Sequence, residues 1–84
     1  MAHVNPELGR EMSAAELVVK SVVVIGRDDR PNWFTVWVRD IGQDYVAFWA
    51  GEAQTILLVR IREDGKLTDD SGAEIHVYEY LGAV

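Results

Sequence analysis

Cysteine is absent from the 84-residue chain, which excludes disulfide staples, thiolate nucleophiles and thiolate zinc sites together. Stability must therefore come from a packed core, or from a core shared between subunits. Basic residues are scarce, with eight Lys and Arg against fourteen Asp and Glu and a net charge of −6. That balance disfavours phosphate backbones and anionic membrane surfaces, so nucleic-acid binding is not expected. Apolar runs such as Val22 to Ile25 fall far short of the roughly 20 residues of a membrane helix. The first dozen residues carry Asn5, Pro6, Glu7, Arg10 and Glu11 in place of an apolar signal core. The resulting expectation is a soluble, cytoplasmic chain with no membrane association.

What is present is enough for a folded domain. Hydrophobic residues make up 49 % and charged residues 26 %, a globular balance, and the length suits one domain over 1–84. Asn5-Pro6-Glu7 reads as a helix cap, a first-turn proline and a first-turn acid, with Leu8, Met12 and Ala15 on one face. This predicts a short N-terminal helix over 6–15 after a frayed 1–5, although Gly9 costs such a helix about 1 kcal/mol. Ser13-Ala14-Ala15-Glu16 adds capping-box spacing, and the β-branched stretch from Val18 to Ile25 follows it.

From 17 to 81 the chain reads as strands separated by turns at Gly26 to Asn32, Asp40 to Asp44, Gly51 to Gln54, Asp64-Gly65 and Asp69 to Gly72. The fold class is mostly β: a short helix, then a five- or six-stranded antiparallel meander, as a curled sheet or a small barrel. Asp64-Gly65 reads as a two-residue hairpin turn with both residues at positive φ.

Period-two reading separates two faces. One holds Phe34, Val36, Val38, Val46, Phe48, Leu57, Val59 and Ile61, and is core. The other holds Trp33, Thr35, Trp37, Arg39, Tyr45, Ala47, Trp49, Ile56, Leu58, Arg60 and Arg62, too aromatic for a plain solvent face. Matching faces across the hairpins predicts Asp40 opposite Asp44, Arg39 opposite Tyr45 and Trp37 opposite Ala47. Between the next two strands it predicts Trp49 opposite Ile56, Ala47 opposite Leu58 and Tyr45 opposite Arg60, which sets Tyr45 between two arginines. In the last strand Ile75 and Val77 alternate with His76, Tyr78 and Tyr80, and the tyrosines are assigned to the aromatic face.

Trp, Tyr and Arg on an apolar background have the composition of interface hot spots. The expected function is thus a small, acidic, non-enzymatic interaction module that self-associates, as a dimer, through Trp33, Trp37, Arg39, Tyr45, Trp49, Ile56, Leu58, Arg60 and Tyr78. One alternative uses the same face to bind another protein, a small molecule or single-stranded nucleic acid, with arginines beside aromatic rings. A second is an enzyme with a pocket at a subunit boundary, using His76 with Ser71, Tyr78 and Glu79. The acids at the turns, including Asp69-Asp70-Ser71-Gly72, lack calcium-loop spacing and are read as turn chemistry. No cofactor and no metal are expected.

Overall fold

The computed structural model describes residues 6–28 and 33–83. Alternating apolar residues place seven strands in it: β1 (Pro6–Met12), β2 (Val22–Arg27), β3 (Trp33–Ile41), β4 (Tyr45–Ala50), β5 (Thr55–Ile61), β6 (Leu67–Thr68) and β7 (Glu74–Ala83). All pair antiparallel, and from β2 to β7 each strand pairs with the next. β7 also pairs with β2, so six strands close a small barrel and β1 lies outside the ring on β7. Cα atoms have a radius of gyration of 12.1 Å. Among the described residues, no helix is long and apolar enough to cross a membrane.

The expected N-terminal helix does not form. Residues 6–12 are extended, and only Ala14–Glu16 make a single 3-10 turn. The reason is the edge of β7. β6 is two residues long and pairs only with Glu74 and Ile75, which leaves the far edge of the ten-residue β7 open. β1 fills it, with Met12 opposite Val77, Glu11 opposite Tyr78 and Leu8 opposite Tyr80. The ladder outweighs a helix that is marginal in isolation. Gly9 is needed here: a Cβ there would lie 2.7 Å from Glu79 Cβ and 3.2 Å from the Glu79 carbonyl oxygen. The capping-box pair survives in part, as the Ser13 N–H donates to Glu16 Oε1 at 2.9 Å. The expectation for 1–5 lies outside the described residues, as does most of the Gly26 to Asn32 turn.

Inside the barrel, Val23, Ile25, Val36, Val38, Val46, Phe48, Val59, Leu67, Ile75 and Val77 form one buried cluster, with Leu17 and Ala50 at its margins. Leu57 and Ile61 pack against it partly buried. Phe34, expected in the core, is 50 % exposed, because it sits at the end of β3 where the barrel opens. β2 begins later than the β-branched stretch from Val18 suggests, at Val22. Lys20 at φ 76° turns the chain, and Val18 and Val19 stay exposed.

The β4–β5 register is the expected one, including Trp49 opposite Ile56, Ala47 opposite Leu58 and Tyr45 opposite Arg60. The β3–β4 register is not. Trp37 lies opposite Trp49 rather than Ala47, and a bulge between Val38 and Asp40 sets Asp40 opposite Ala47 and Ile41 opposite Val46. Arg39 is the extra residue, so Tyr45 does not stand between two arginines. After β5 the loop is also longer than expected. Arg62 N–H donates to Lys66 O at 2.7 Å and Gly65 N–H to Arg62 O at 2.9 Å. Gly65 alone has positive φ there, a three-residue loop in place of a two-residue one. Asp69 to Ala73 repeats that pattern around Gly72 at φ 87°.

Candidate interaction surface and polar clusters

Barrel closure turns the aromatic face outward, and the register divides it into two parts. Trp33 lies opposite Gly26, and Tyr78 lies opposite Val24, on the two sides of β2. Their rings meet edge to face with centroids 5.2 Å apart. Since β3 and β7 are two strand spacings apart, rings that close must cross over β2. Val24, which points outward, is accordingly fully buried. Burial also raises the Tyr78 hydroxyl pKa above its ordinary value, with the charges of Glu11 and Asp28 adding to it. These two rings act as cover for β2.

The second part is uncovered. Trp37, Trp49 and Ile56 form one cross-strand row, and Leu58 stands next to it opposite Ala47. Trp37 is 53 % exposed, Ile56 47 % and Leu58 59 %, with Trp49 half-buried between them. Polar groups edge the row. Arg39 and Arg60 are exposed, and Tyr45 donates its hydroxyl to Asp40 Oδ2 at 2.7 Å. That bond, reinforced by the Asp40 charge, raises the tyrosine pKa above its usual 10. Gly42 permits it, because a Cβ there would run into the Tyr45 ring.

Beside Ile56 and Leu58 the barrel wall is interrupted. β6 pairs with β5 only at Arg60 and Ile61, so Thr55 to Val59 have no ladder partner on that side among the described residues. A cavity of about 510 Å³ occupies the gap, lined by Ile25, Phe34, Leu57 and Ile75, with Arg27 and the Asp69–Ser71 turn at its rim. Arg27 Nε lies 3.5 Å from Asp69 Oδ2. The other oxygen, Asp69 Oδ1, accepts from the Ser71 hydroxyl at 2.8 Å and from the N–H groups of Ser71 and Ala73 at 3.0 Å each. The Ser71 bond first, and the backbone donors after it, hold the Asp69 pKa below its ordinary value. The carboxylate is thus used as a turn brace.

His76 joins three strands. Its Nδ1 lies 2.8 Å from Glu11 Oε2 of β1, and its Nε2 lies 3.0 Å from Asp28 Oδ1 beyond β2. Ionised carboxylates only accept, so the doubly protonated ring satisfies both contacts at once and each neutral tautomer satisfies one. The Glu11 bond raises its pKa above 6.5 with help from Asp28 and Glu74, against a burial effect that lowers it. Neither nitrogen is left to act on a substrate in this arrangement. The Ser71 hydroxyl is engaged by Asp69, and Glu79 accepts from the Arg10 backbone N–H at 3.2 Å. Among the described residues, no group of His, Cys, Asp and Glu is placed to hold a metal ion.

Of the residues singled out in the sequence, Trp37, Trp49, Ile56 and Leu58 come together, flanked by Tyr45 and Arg60; Trp33 and Tyr78 form a separate pair, and Arg39 sits on the bulge. Sequence reasoning missed Glu11 and Asp28 as partners of His76, and it missed the open edge of β5. The fold and surface define a small antiparallel meander barrel with an added strand, an uncovered apolar patch over β3 to β5 and an interrupted wall beside β5. In comparisons with known proteins, no family model, no curated protein and no solved structure matches the chain.

Proposed function

We propose that this chain is a small non-enzymatic interaction module that pairs with a second copy of itself through the outer surface of β4 and β5. Ile56 and Leu58 supply the contact, Trp49 and Trp37 stand behind them, and Arg60 and Arg39 form the polar rim. The observation that carries the reading is the joint exposure of Trp37, Ile56 and Leu58 on neighbouring positions of one rigid sheet. Together they leave on the order of 300 Å² of apolar surface in water, the size of the largest patch on a typical monomer. The N-terminal segment does not lie across this face as a helix, because Pro6–Met12 pair as a strand with β7.

The test is the absolute mass in solution, by size-exclusion chromatography with light scattering over a wide concentration range. A dimer is expected for the native chain. Leu58→Glu is expected to give a monomer with an unchanged circular dichroism spectrum, since Leu58 is outside the core. A native chain that is monomeric at every concentration, or a Leu58→Glu variant that stays dimeric, refutes the reading. A second reading, a small apolar ligand in the gap beside β5, is supported by the 510 Å³ cavity, whose size falls in the usual range for ligand sites.

A further inference from the structure

Leu17 lies in the core cluster and Met12 and Ala14 pack against it, but none of these residues reaches the gap beside β5. The floor of that gap is the inward face of the barrel, formed by Ile25, Phe34, Leu57 and Ile75, and it leaves Phe34 half in water. One wall is polar, and hydrogen bonds at the end of β5 fix which way its groups point. Ile61 N–H donates to Asp44 O on the β4 side at 2.8 Å, and Arg62 N–H donates to Lys66 O on the opposite side at 2.7 Å. Backbone direction alternates along a strand, and the β4–β5 register is unbroken from Tyr45–Arg60 to Ala50–Thr55. Ile56, Leu58 and Arg60 therefore aim their N–H and C=O groups away from β4. Arg60 meets Thr68 there, whereas Ile56 and Leu58, which line the gap, meet no strand among the described residues.

We infer that this gap binds a small neutral molecule with a flat apolar body and a ring amide, the amide bonded to the backbone of Ile56 or Leu58 and the body lying on Ile25, Phe34, Leu57 and Ile75. This rests on the second reading above, whose ligand it specifies, and it does not depend on self-association. Size sets the first limit. A volume of about 510 Å³ holds about 17 waters at ~30 Å³ each, and so a molecule of roughly ten to twenty non-hydrogen atoms. Thr68 and the Asp69–Ser71 turn stand across from β5 and close the space, which makes it a pocket for a molecule and not a track for an added strand. Charge sets the second. Asp69 and Asp70 at the rim repel an anion, Arg27 already faces Asp69, and a cation would have to leave water for an apolar floor. The amide follows from the wall. Ile56 and Leu58 each present an N–H and a C=O side by side, the pair that an antiparallel neighbour would answer with its own. A ring amide carries its N–H and C=O on one side and answers both, whereas an open-chain amide is trans and answers one.

The decisive experiment titrates the full isotope-labelled chain, followed by its amide chemical shifts, with three probes of one shape. Carbostyril is a two-ring lactam, N-methylcarbostyril lacks its N–H, and naphthalene lacks the amide altogether. Carbostyril is expected to shift the Ile56 and Leu58 amides together with Ile25 and Ile75, saturably, and to bind about tenfold more tightly than either of the other two. Phe34→Ala, at a half-exposed position, is expected to weaken carbostyril about fivefold with an unchanged circular dichroism spectrum. Equal binding of all three probes at the gap overturns the ring amide and leaves an apolar-ligand site standing. No saturable shift from any probe, shifts confined to residues away from the gap, or full-strength binding by Phe34→Ala overturns the site itself, and the second reading with it.

Discussion

Replacing His76 by glutamine tests a side chain that ties β1, β7 and the residue after β2 together. The ring bridges Glu11 of β1 and Asp28 after β2 through both nitrogens. These are charge-assisted bonds, worth about 1.5–3 kcal/mol each when sheltered. The Glu11 and Asp28 side chains are 54 % and 68 % exposed, however, so screening holds each contact to about 0.5–1 kcal/mol. The pair then contributes about 1–2 kcal/mol, which in a domain of this size is roughly 4–16 °C in Tm. Folding raises the His76 pKa, so this stability is fully present below the unfolded value near 6.5 and is lost as pH rises through the folded value. Above it, the neutral ring keeps one donor and turns a lone pair toward the other carboxylate. Urea unfolding of the native chain and of His76→Gln, followed by circular dichroism from pH 5.5 to 9, reads the effect. The two should differ by about 1–2 kcal/mol at the acid end and converge at the alkaline end. A gap that stays constant with pH, or that widens as pH rises, refutes an imidazolium bridge.

Gly9→Ala puts a methyl group 2.7 Å from Glu79 Cβ, and two paired backbones cannot both yield; it should cost about 1–3 kcal/mol and speed amide exchange of Leu8 to Met12 ahead of the barrel strands. Asp69→Ala strips the acceptor from three donors of the β6–β7 turn and removes one contact of Arg27. It should cost about 1–2 kcal/mol at pH 7 in urea unfolding. Because folding lowers the Asp69 pKa, the cost should shrink as pH falls through the folded value, and a cost that grows in acid contradicts the brace.

Local spacing carries the barrel wall into view from the sequence alone. Gly51 to Gln54 is an even loop between two strands whose apolar faces must match, and parity leaves one good register, the one the structure has. The same logic fails between β3 and β4 because it presumes regular strands. Val38 and Ile41 are three positions apart, an odd interval that no regular strand can turn to one face. The bulge at Arg39 resolves the conflict, letting both reach the core side while Asp40 swings outward to take the Tyr45 hydroxyl. An odd apolar interval at a strand end was the available signal. For the patch, composition marked the right strands but not their division, since only the third dimension shows that Trp33 and Tyr78 meet across β2 while Trp37, Ile56 and Leu58 stay about half exposed.

The N-terminus shows the other limit. Asn5-Pro6-Glu7 is a sound helix start, and nothing within ten residues contradicts it except Gly9. What decides the outcome lies nearly seventy positions away, in the mismatch between a two-residue β6 and a ten-residue β7. A strand that long leaves a row of unpaired backbone groups on its outer edge, and their demand for partners exceeds what a short, glycine-containing helix gains by forming. The side chains are consistent with that outcome. Gly9 lets the backbones approach, Arg10 lies 3.5 Å from Glu79 of β7 and 2.7 Å from Glu16 of the following turn, and Glu11 reaches His76. On a helix these would be an ordinary run of surface charges. Each finds a specific partner only once the segment is a strand, so the added strand is written in pairings between distant residues and not in any local propensity.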